Sequence, residues 1–431
     1  MIKIFKYKDT PESEIFAEDS AATDISAKVA DIIAWVREGG DAALFELTER
    51  FDRVRLERLE VSGAEIEEAC ASVDPNFWGI LERAAENIRN YHKNQIRKGF
   101  RIEKDGVVLG QKVTPIEKVG VYVPGGTAPL ASSVLMNIIP AKLAGCPSII
   151  MCTPPGRDGK VNPAILAAAK IAGADRIFKV GGAQAIAAMA YGTETIPAVY
   201  MIAGPGRDFI AEAKRQVFGK VAIDMIAGPS EILIIADKTA NPAHVAADLL
   251  SQAEHDRSAI SILVTDSLAL ASEVAAELER QLELLPREET ARASVEKNGK
   301  IIITESIEEA IELANLIAPE HLEVCVDEPM KYLEAIKNAG SIFLGKYCPE
   351  ALGDYYAGPN HTLPTGGTAK FSSPLSVDNY VKKSSYIYYT EDALKASAGD
   401  VAAFAGREEL AGHARSITVR CENKPDFIKL N

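Results

Sequence analysis

The feature that most constrains this chain is a regular alternation of short β-branched runs and alanine-rich helical stretches through its middle. Residues 119–123, 148–152, 176–180, 199–202 and 231–236 read as strands. Residues 133–144, 163–172, 183–191 and 207–216, lying between them, read as helices. Strands joined through helices run parallel, because each crossover returns the chain to the same end of the sheet. The expectation is an α/β fold with parallel sheets covered on both faces. A second alternation follows: helix 241–253, strand 260–264, helix 267–284, strand 300–303, helix 307–317 and strand 322–326. Ahead of both blocks, Ile25, Val29, Ile32, Ile33 and Val36 recur at helical spacing up to Gly39-Gly40, and a second helix follows at 41–51. Asp74-Pro75 opens a helix through about residue 98. Residues 101–113 read as a hairpin, 386–389 as β-prone and 391–403 as helical. Residues 1–20 have no core-forming pattern and need a partner surface to be ordered.

Four glycine-rich turns close expected strands or lead into them: YVPGGT (122–127), VGGAQ (180–184), GPG (204–206) and AGPS (227–230). Backbone without side chains can lie close to a ligand. Ligands of parallel sheets bind beyond the carboxyl ends of the strands. Tight turning alone accounts for any one of these turns. No G-x-G-x-x-G occurs, so sheet architecture by itself does not identify a nicotinamide cofactor.

Residues 352–373, LGDYYAGPNHTLPTGGTAKFSS, carry few apolar side chains and read as a surface loop of the kind that bears function. Asp354 is a potential metal ligand there, and His361 a potential base or substrate contact. Pro359, Pro364, Gly366 and Gly367 would fix the backbone that presents them. A turn-rich connection with two solvated polar side chains describes the same stretch. Gln252 and His255 share one face of a helix end and can hold two positions on a metal. Glu320 beside His321, just before a strand, can supply two proton-transfer groups in one place. In isolation each pair also fits solvated polar groups at a turn.

Charge narrows the function class. Lys and Arg number 47 against 61 Asp and Glu, a formal net charge of −14, which argues against nucleic acid and anionic membrane surfaces as partners. No stretch has the length and apolarity of a membrane span, and the start lacks a secretion signal's apolar core. Six scattered cysteines without a C-x-x-C pair read as reduced thiols of a cytoplasmic protein. Among them, Cys146 and Cys348 read as inert rather than catalytic thiols.

Taken together, the segments GVYVPGG (120–126), SSVLMNIIPAKLAG (132–145), VGGAQAIAA (180–188), AGPSEI (227–232), LLSQAEHD (249–256), APEHLE (318–323) and GDYYAGPNHTLPTGGTAKFSS (353–373) resemble the histidinol dehydrogenase family. The resemblance covers nearly the whole chain. It implies zinc-dependent oxidation of L-histidinol through L-histidinal to L-histidine with two NAD+ and one Zn2+ per subunit, closing histidine biosynthesis. The implied zinc ligands are Gln252, His255, Asp354 and His413. The implied proton-transfer residues are Glu320 and His321. Substrate contacts would come from Ser230, His361 and Glu408 together with Gln252, His255, His321, Asp354 and His413. Cofactor contacts would come from Tyr122, Gln184 and position 207, where the family's Gly-Pro-Gly-Asn is departed from by Arg207. An arginine meets a phosphate or ribose differently from an amide, and beside a ribose it would tolerate a 2′-phosphate.

The same resemblance implies two Rossmann-like domains with parallel sheets, the second inserted in the first, plus N- and C-terminal dimerisation arms. The expected divisions are an arm at 1–17, a first domain at 18–121 and 232–374, a second, NAD-side domain at 122–231, and an arm at 375–431 that completes the partner's active site. The expected state is a homodimer with shared sites. Two other chemistries remain open on the same residues: zinc- and NAD-linked oxidation of another small polar alcohol, and zinc hydrolysis, against which the glycine-rich turns argue.

Overall fold

The computed structural model describes residues 2–11, 25–125, 129–206 and 208–422. Arg207, residues 12–24 of the N-terminal region, residues 126–128 of the first glycine-rich turn and residues 423–431 of the expected C-terminal arm lie outside that set. The strands, numbered along the chain, are β1 Lys3–Lys6, β2 Phe100–Lys104, β3 Val107–Pro115, β4 Lys118–Tyr122, β5 Ser148–Thr153, β6 Arg176–Lys179 and β7 Met201–Ala203. Then come β8 Ala222–Ile223, β9 Glu231–Ala236, β10 Ile260–Thr265, β11 Lys300–Ile303, β12 His321–Cys325, β13 Ser341–Leu344 and β14 Val381–Tyr389. Two compact units form, Met1–Ile96 with Pro115–Tyr380, and Arg97–Thr114 with Val381–Asn431.

The first unit holds two parallel sheets, ordered β6-β5-β4-β7-β8 and β1-β11-β10-β9-β12-β13. Their central strands are buried on both faces, as continuous apolar strands require, while the edge strands β1 and β8 are largely exposed. In β9, Ile232 and Ile234 enter one core with Leu249, Leu263 and Val274, whereas Leu233 and Ile235 enter another with Ile311, Leu322 and Val324. That split is the two-residue period of a strand. Three helices start alike, with Asp74, Asn162 and Asn241 each accepting a backbone N–H and proline in the first turn. The side-chain oxygen satisfies an orphan donor, and proline occupies a position that has no N–H to lose.

Several expectations are corrected here. β4 starts at Lys118 and belongs to the five-stranded sheet, so that sheet begins before residue 122. The helices of residues 26–92 also pack on it: Val29, Ile33 and Leu44 share a core with Phe178 and Ile186, and Leu81 and Ile88 share one with Val119 and Ile165. Their apolar stripes match the nearer sheet, whatever their distance along the chain. The predicted break at Gly39-Gly40 is a kink at Gly40, with φ 54°. Of the N-terminal residues, those described at 2–11 do not wait for a partner: β1 pairs in parallel with β11 of its own chain. Backbone hydrogen bonds along the sheet edge order it, with Ile2 entering the core of Ile232 and Leu249 and Tyr7 packing on the other face. The sequence reading also lacked β13 and the helices Gly63–Ser72, Glu288–Asn298 and Ala411–Thr418. Glu288–Asn298 buries only Ala291, Ser294 and Val295, too narrow a stripe to register as periodicity.

The second unit holds a sheet ordered β14-β3-β2, in which β2 and β3 form the expected antiparallel hairpin, with Asp105 and Gly106 at positive φ. Two helices follow, Glu391–Arg407 and Ala411–Thr418. Phe100, Ile102, Ile387, Tyr388 and Phe404 are exposed on this unit.

Candidate active site

The described residues of the first three glycine-rich turns, 122–125, 180–184 and 204–206, follow the carboxyl ends of β4, β6 and β7. The Glu320–His321 pair does not follow that rule. His321 opens β12 and Glu231 opens β9, so the pair stands at the amino ends of two central strands. The connection explains the placement. β8 ends at Ile223 and β9 begins at Glu231. At no more than about 3.5 Å per residue, so short a link holds the amino end of β9 near the carboxyl end of β8.

Glu320 and His321 are both buried. Glu320 Oε2 accepts the Glu231 N–H at 2.9 Å and lies 3.6 Å from His321 Nδ1. Burial pushes the Glu320 pKa up to about 8 against the opposing charge of His321. His321 Nδ1 stands 2.8 Å from the Glu231 carbonyl and 3.0 Å from Gln252 Nε2. A carbonyl only accepts, and it is the shorter contact, so Nδ1 carries a proton and Nε2 is the basic nitrogen. Nε2 lies 3.7 Å from Asp354 Oδ1. Burial alone would lower the His321 pKa, but Glu320 and Asp354 outweigh it and push it up to about 10.

Gln252 is buried at the end of the helix Pro242–Ala253, and its Oε1 has no partner among the described residues. His321 Nε2 is also buried without a hydrogen-bond partner. His321, Asp354 and Glu350 bring donor atoms within 4.8 Å of one another, a grouping able to hold a cation. Burial, assisted by the Asp354 charge, raises Glu350 to about 7. Burial also opposes ionisation of Asp354, yet the His321 ring 3.7 Å away and the other nearby imidazoles hold its pKa below the ordinary value. His255, one helical turn from Gln252, is exposed by area, yet the protein around it desolvates the ring enough to lower its pKa. Asp354 acts on the same ring in the opposite sense.

The loop from residue 353 is the expected surface connection only at its two ends, where Tyr355, Tyr356 and Phe371 are exposed, and it dips into the protein between them. Asn360, Thr362, Leu363 and Thr365 are buried. A buried loop needs partners for its polar groups, and this one has them. Gly366 N–H donates to Glu231 Oε1 at 2.7 Å, and Gly228 N–H donates to Thr365 Oγ1. Asn360 does more. The helix Ala131–Ala144 carries Pro140, which has no N–H for the carbonyl of Met136 four residues earlier. Asn360 Nδ2 donates to that carbonyl at 2.6 Å, while its Oδ1 accepts Thr362 N–H at 2.9 Å. The adjacent His361 reaches Ser133 Oγ of the same helix at 3.3 Å and the Asp354 carbonyl at 3.0 Å. Burial lowers the His361 pKa. A cavity of about 100 Å³ opens beside Asp354 and His361, walled also by Phe343, Cys348 and Leu363.

Tyr122 closes β4, buried, with its hydroxyl accepting Gly182 N–H at 3.3 Å. Burial pushes its pKa up to about 12. Gln184, buried on the helix Gly182–Tyr191, leaves Oε1 without a partner among the described residues. Ser230 is half-buried just before β9. Glu408 and His413 belong to the second unit and are exposed there.

A family model for histidinol dehydrogenase matches residues 17–421. The chain belongs to the histidinol dehydrogenase family. It is 56% identical over 405 residues to the histidinol dehydrogenase of Geobacillus kaustophilus, covering 94% of this chain and 96% of that one. It is 55% identical to the enzyme of Clostridium acetobutylicum, with 92% of each chain covered. The crystal structure of histidinol dehydrogenase from Elizabethkingia anophelis superposes with a TM-score of 0.92 at 40% identity, over 97% of this chain and 98% of that one. As a member of the histidinol dehydrogenase family the chain is an NAD-dependent oxidoreductase. Among the described residues no helix is long and apolar enough to cross a membrane. The six cysteines are unpaired. Glu350 is the site residue that sequence reasoning missed. Its signal was present: it precedes Asp354 by four residues, one helical turn.

Proposed function

We propose that this chain oxidises L-histidinol through L-histidinal to L-histidine with two NAD+ and one zinc ion per subunit. The observation that carries the reading is the buried Glu320–His321 pair facing Asp354 and Gln252. The residues suit zinc. Gln252 Oε1 is a buried oxygen without a partner, beside an imidazole and carboxylates, and the set is nitrogen and oxygen without thiolate. They suit NAD+ in the same sense, since Gln184 Oε1 is a buried acceptor without a partner near the ends of β4 and β6. The zinc ligands would be Gln252, His255, Asp354 and the partner's His413. Bound there, zinc would supply an anchor for the imidazole and amine of histidinol and a positive charge that relieves His321 of that role beside the carboxylates.

The chain's own residues then divide the proton work. His321 takes the alcohol proton at Nε2 as hydride leaves carbon, which avoids building positive charge on oxygen. Its Nδ1–H stays on the Glu231 carbonyl, so the ring is held in one orientation. Glu320 takes a proton from the water that adds to the aldehyde, and the resulting hydrate loses the second hydride. A carboxyl with a pKa raised to about 8 suits a group that gains and loses a proton near neutrality. Ser230, His361 and the partner's Glu408 would bind the polar ends of the substrate. The apolar side chains exposed on the second unit support a homodimer in which each site is completed by the other chain.

The test is NADH formation from L-histidinol by zinc-loaded protein. Two NADH per histidinol, lost on chelation and restored by zinc, is the expected result. Glu320→Gln is expected to slow the second NADH by about 100-fold or more while sparing the first. No NADH from histidinol with zinc bound would move the activity to another small polar alcohol.

A further inference from the structure

The turn that follows β7 is held by a buried ion pair that none of the chemistry above uses. Lys214, on the helix Asp208–Val217, and Asp224, just after β8, are paired directly, with side chains 2% and 0% exposed. Lys214 Nζ donates to the Gly204 carbonyl at 3.0 Å. Gly204 N–H donates to Asp224 Oδ2 at 2.8 Å, and Met225 N–H to Asp224 Oδ1 at 2.7 Å. Both backbone polar groups of Gly204 are therefore gripped by opposite charges.

Gly204 also lies tightly against Tyr122, one of the residues read as a cofactor contact. Its φ is 122°, and a Cβ there would stand 2.0 Å from the carbonyl oxygen of Tyr122. No other residue type fits without moving Tyr122. Tyr122 in turn receives Gly182 N–H from the start of the helix that carries Gln184. The contacts run without a gap from the ion pair to Gly204, to Tyr122 and to the Gln184 helix. Two buried charges are not needed to fill this space, since apolar side chains of similar volume do so at least as well. What charges add is direction: charge-assisted hydrogen bonds from opposite sides set the orientation of a peptide that glycine leaves free.

We propose that Lys214 and Asp224 are positioning residues for NAD+, which set the Gly204 turn and through it the cofactor contacts of Tyr122 and Gln184. This rests on the reading of those two residues as the NAD+ site. Neither charged side chain need touch the cofactor.

The test is the double variant Lys214→Met with Asp224→Asn, which removes both charges together and leaves neither buried alone. Lys214→Met by itself leaves Asp224 with its two backbone N–H donors, Gly204 and Met225, and serves if the double variant does not fold. NADH binding is measured by fluorescence, and zinc content and L-histidinol KM are measured on the same preparations. The expected result is a rise of about tenfold in the NADH Kd and the NAD+ KM, with zinc content and L-histidinol KM within twofold of the parent. A Kd within twofold of the parent in folded variant protein overturns the proposal. So does a parallel loss of histidinol affinity, which would mark general disorder of the unit. A parent protein that binds NADH but does not oxidise histidinol would sink the proposed substrate and leave this inference standing. A parent that binds no NADH would remove the cofactor reading and the inference with it.

Discussion

Asn360 is predicted to hold the catalytic loop to the helix Ala131–Ala144 by covering a carbonyl that Pro140 leaves bare. Asn360→Ala removes the donor to the Met136 carbonyl and the acceptor of Thr362 N–H. Each is a buried polar group, and one left without a partner costs about 1–3 kcal/mol, so the loss is about 3 kcal/mol for the two. Pro140→Ala then supplies a helical N–H to the same carbonyl. It removes the proline penalty with or without Asn360, but it serves the bare carbonyl only where Asn360 is gone. The stabilisation from Pro140→Ala should therefore be larger by about 1–2 kcal/mol in the Asn360→Ala background than in the parent. Urea unfolding followed by tryptophan fluorescence reads this core, since Trp35 and Trp78 both pack against the five-stranded sheet's clusters. Because Asn360 adjoins His361, histidinol KM should rise in Asn360→Ala and recover in part in the double variant. Equal effects of Pro140→Ala in both backgrounds would refute the reasoning.

Two further outcomes follow from other parts of the molecule. Mixing chains carrying His321→Asn with chains carrying His413→Ala should regenerate about a quarter of full activity from two inactive parents, if each site draws His413 from its partner and chains pair at random; mixtures as inactive as their parents would deny the shared site. Burial would raise the Glu65 carboxyl, but Lys179 at 2.8 Å and two donors from Ser62 outweigh it and lower the pKa from 4.5 to about 2. A depressed carboxyl stabilises the fold above its unfolded pKa, and that contribution is lost as pH falls from about 4.5 through about 2. Solvent screens this partly exposed pair, so Glu65→Gln should cost about 1 kcal/mol at pH 7, with the difference from the parent shrinking below about pH 4.5 in urea unfolding. A difference that stays constant with pH would contradict the assignment.

Local signals carried much of the fold. The strand–helix alternation, the Asn-Pro and Asp-Pro helix starts and the hairpin at Asp105-Gly106 all depend on residues within a turn or two of each other. The pairs Gln252 with His255 and Glu320 with His321 were legible for the same reason, and so was the order of the family's motifs. Tertiary structure decided what depends on distant partners. No local pattern marks Asn360 as the donor to Met136, because the need arises at Pro140, more than two hundred residues earlier. Lys214 and Asp224 look like surface charges until the sheet brings Gly204 between them. Composition placed residues 352–373 at the surface, and its two ends are there, whereas hydrogen bonds with Gly228 and Met136 let its middle, residues 360–365, be buried. The chain alone marked most of the elements, since periodicity and capping act within an element, but not β1 or β13, which form by pairing with distant strands. Which polar groups are buried, and how far their pKa values move, was decided by packing, since desolvation depends on what the fold sets around each group.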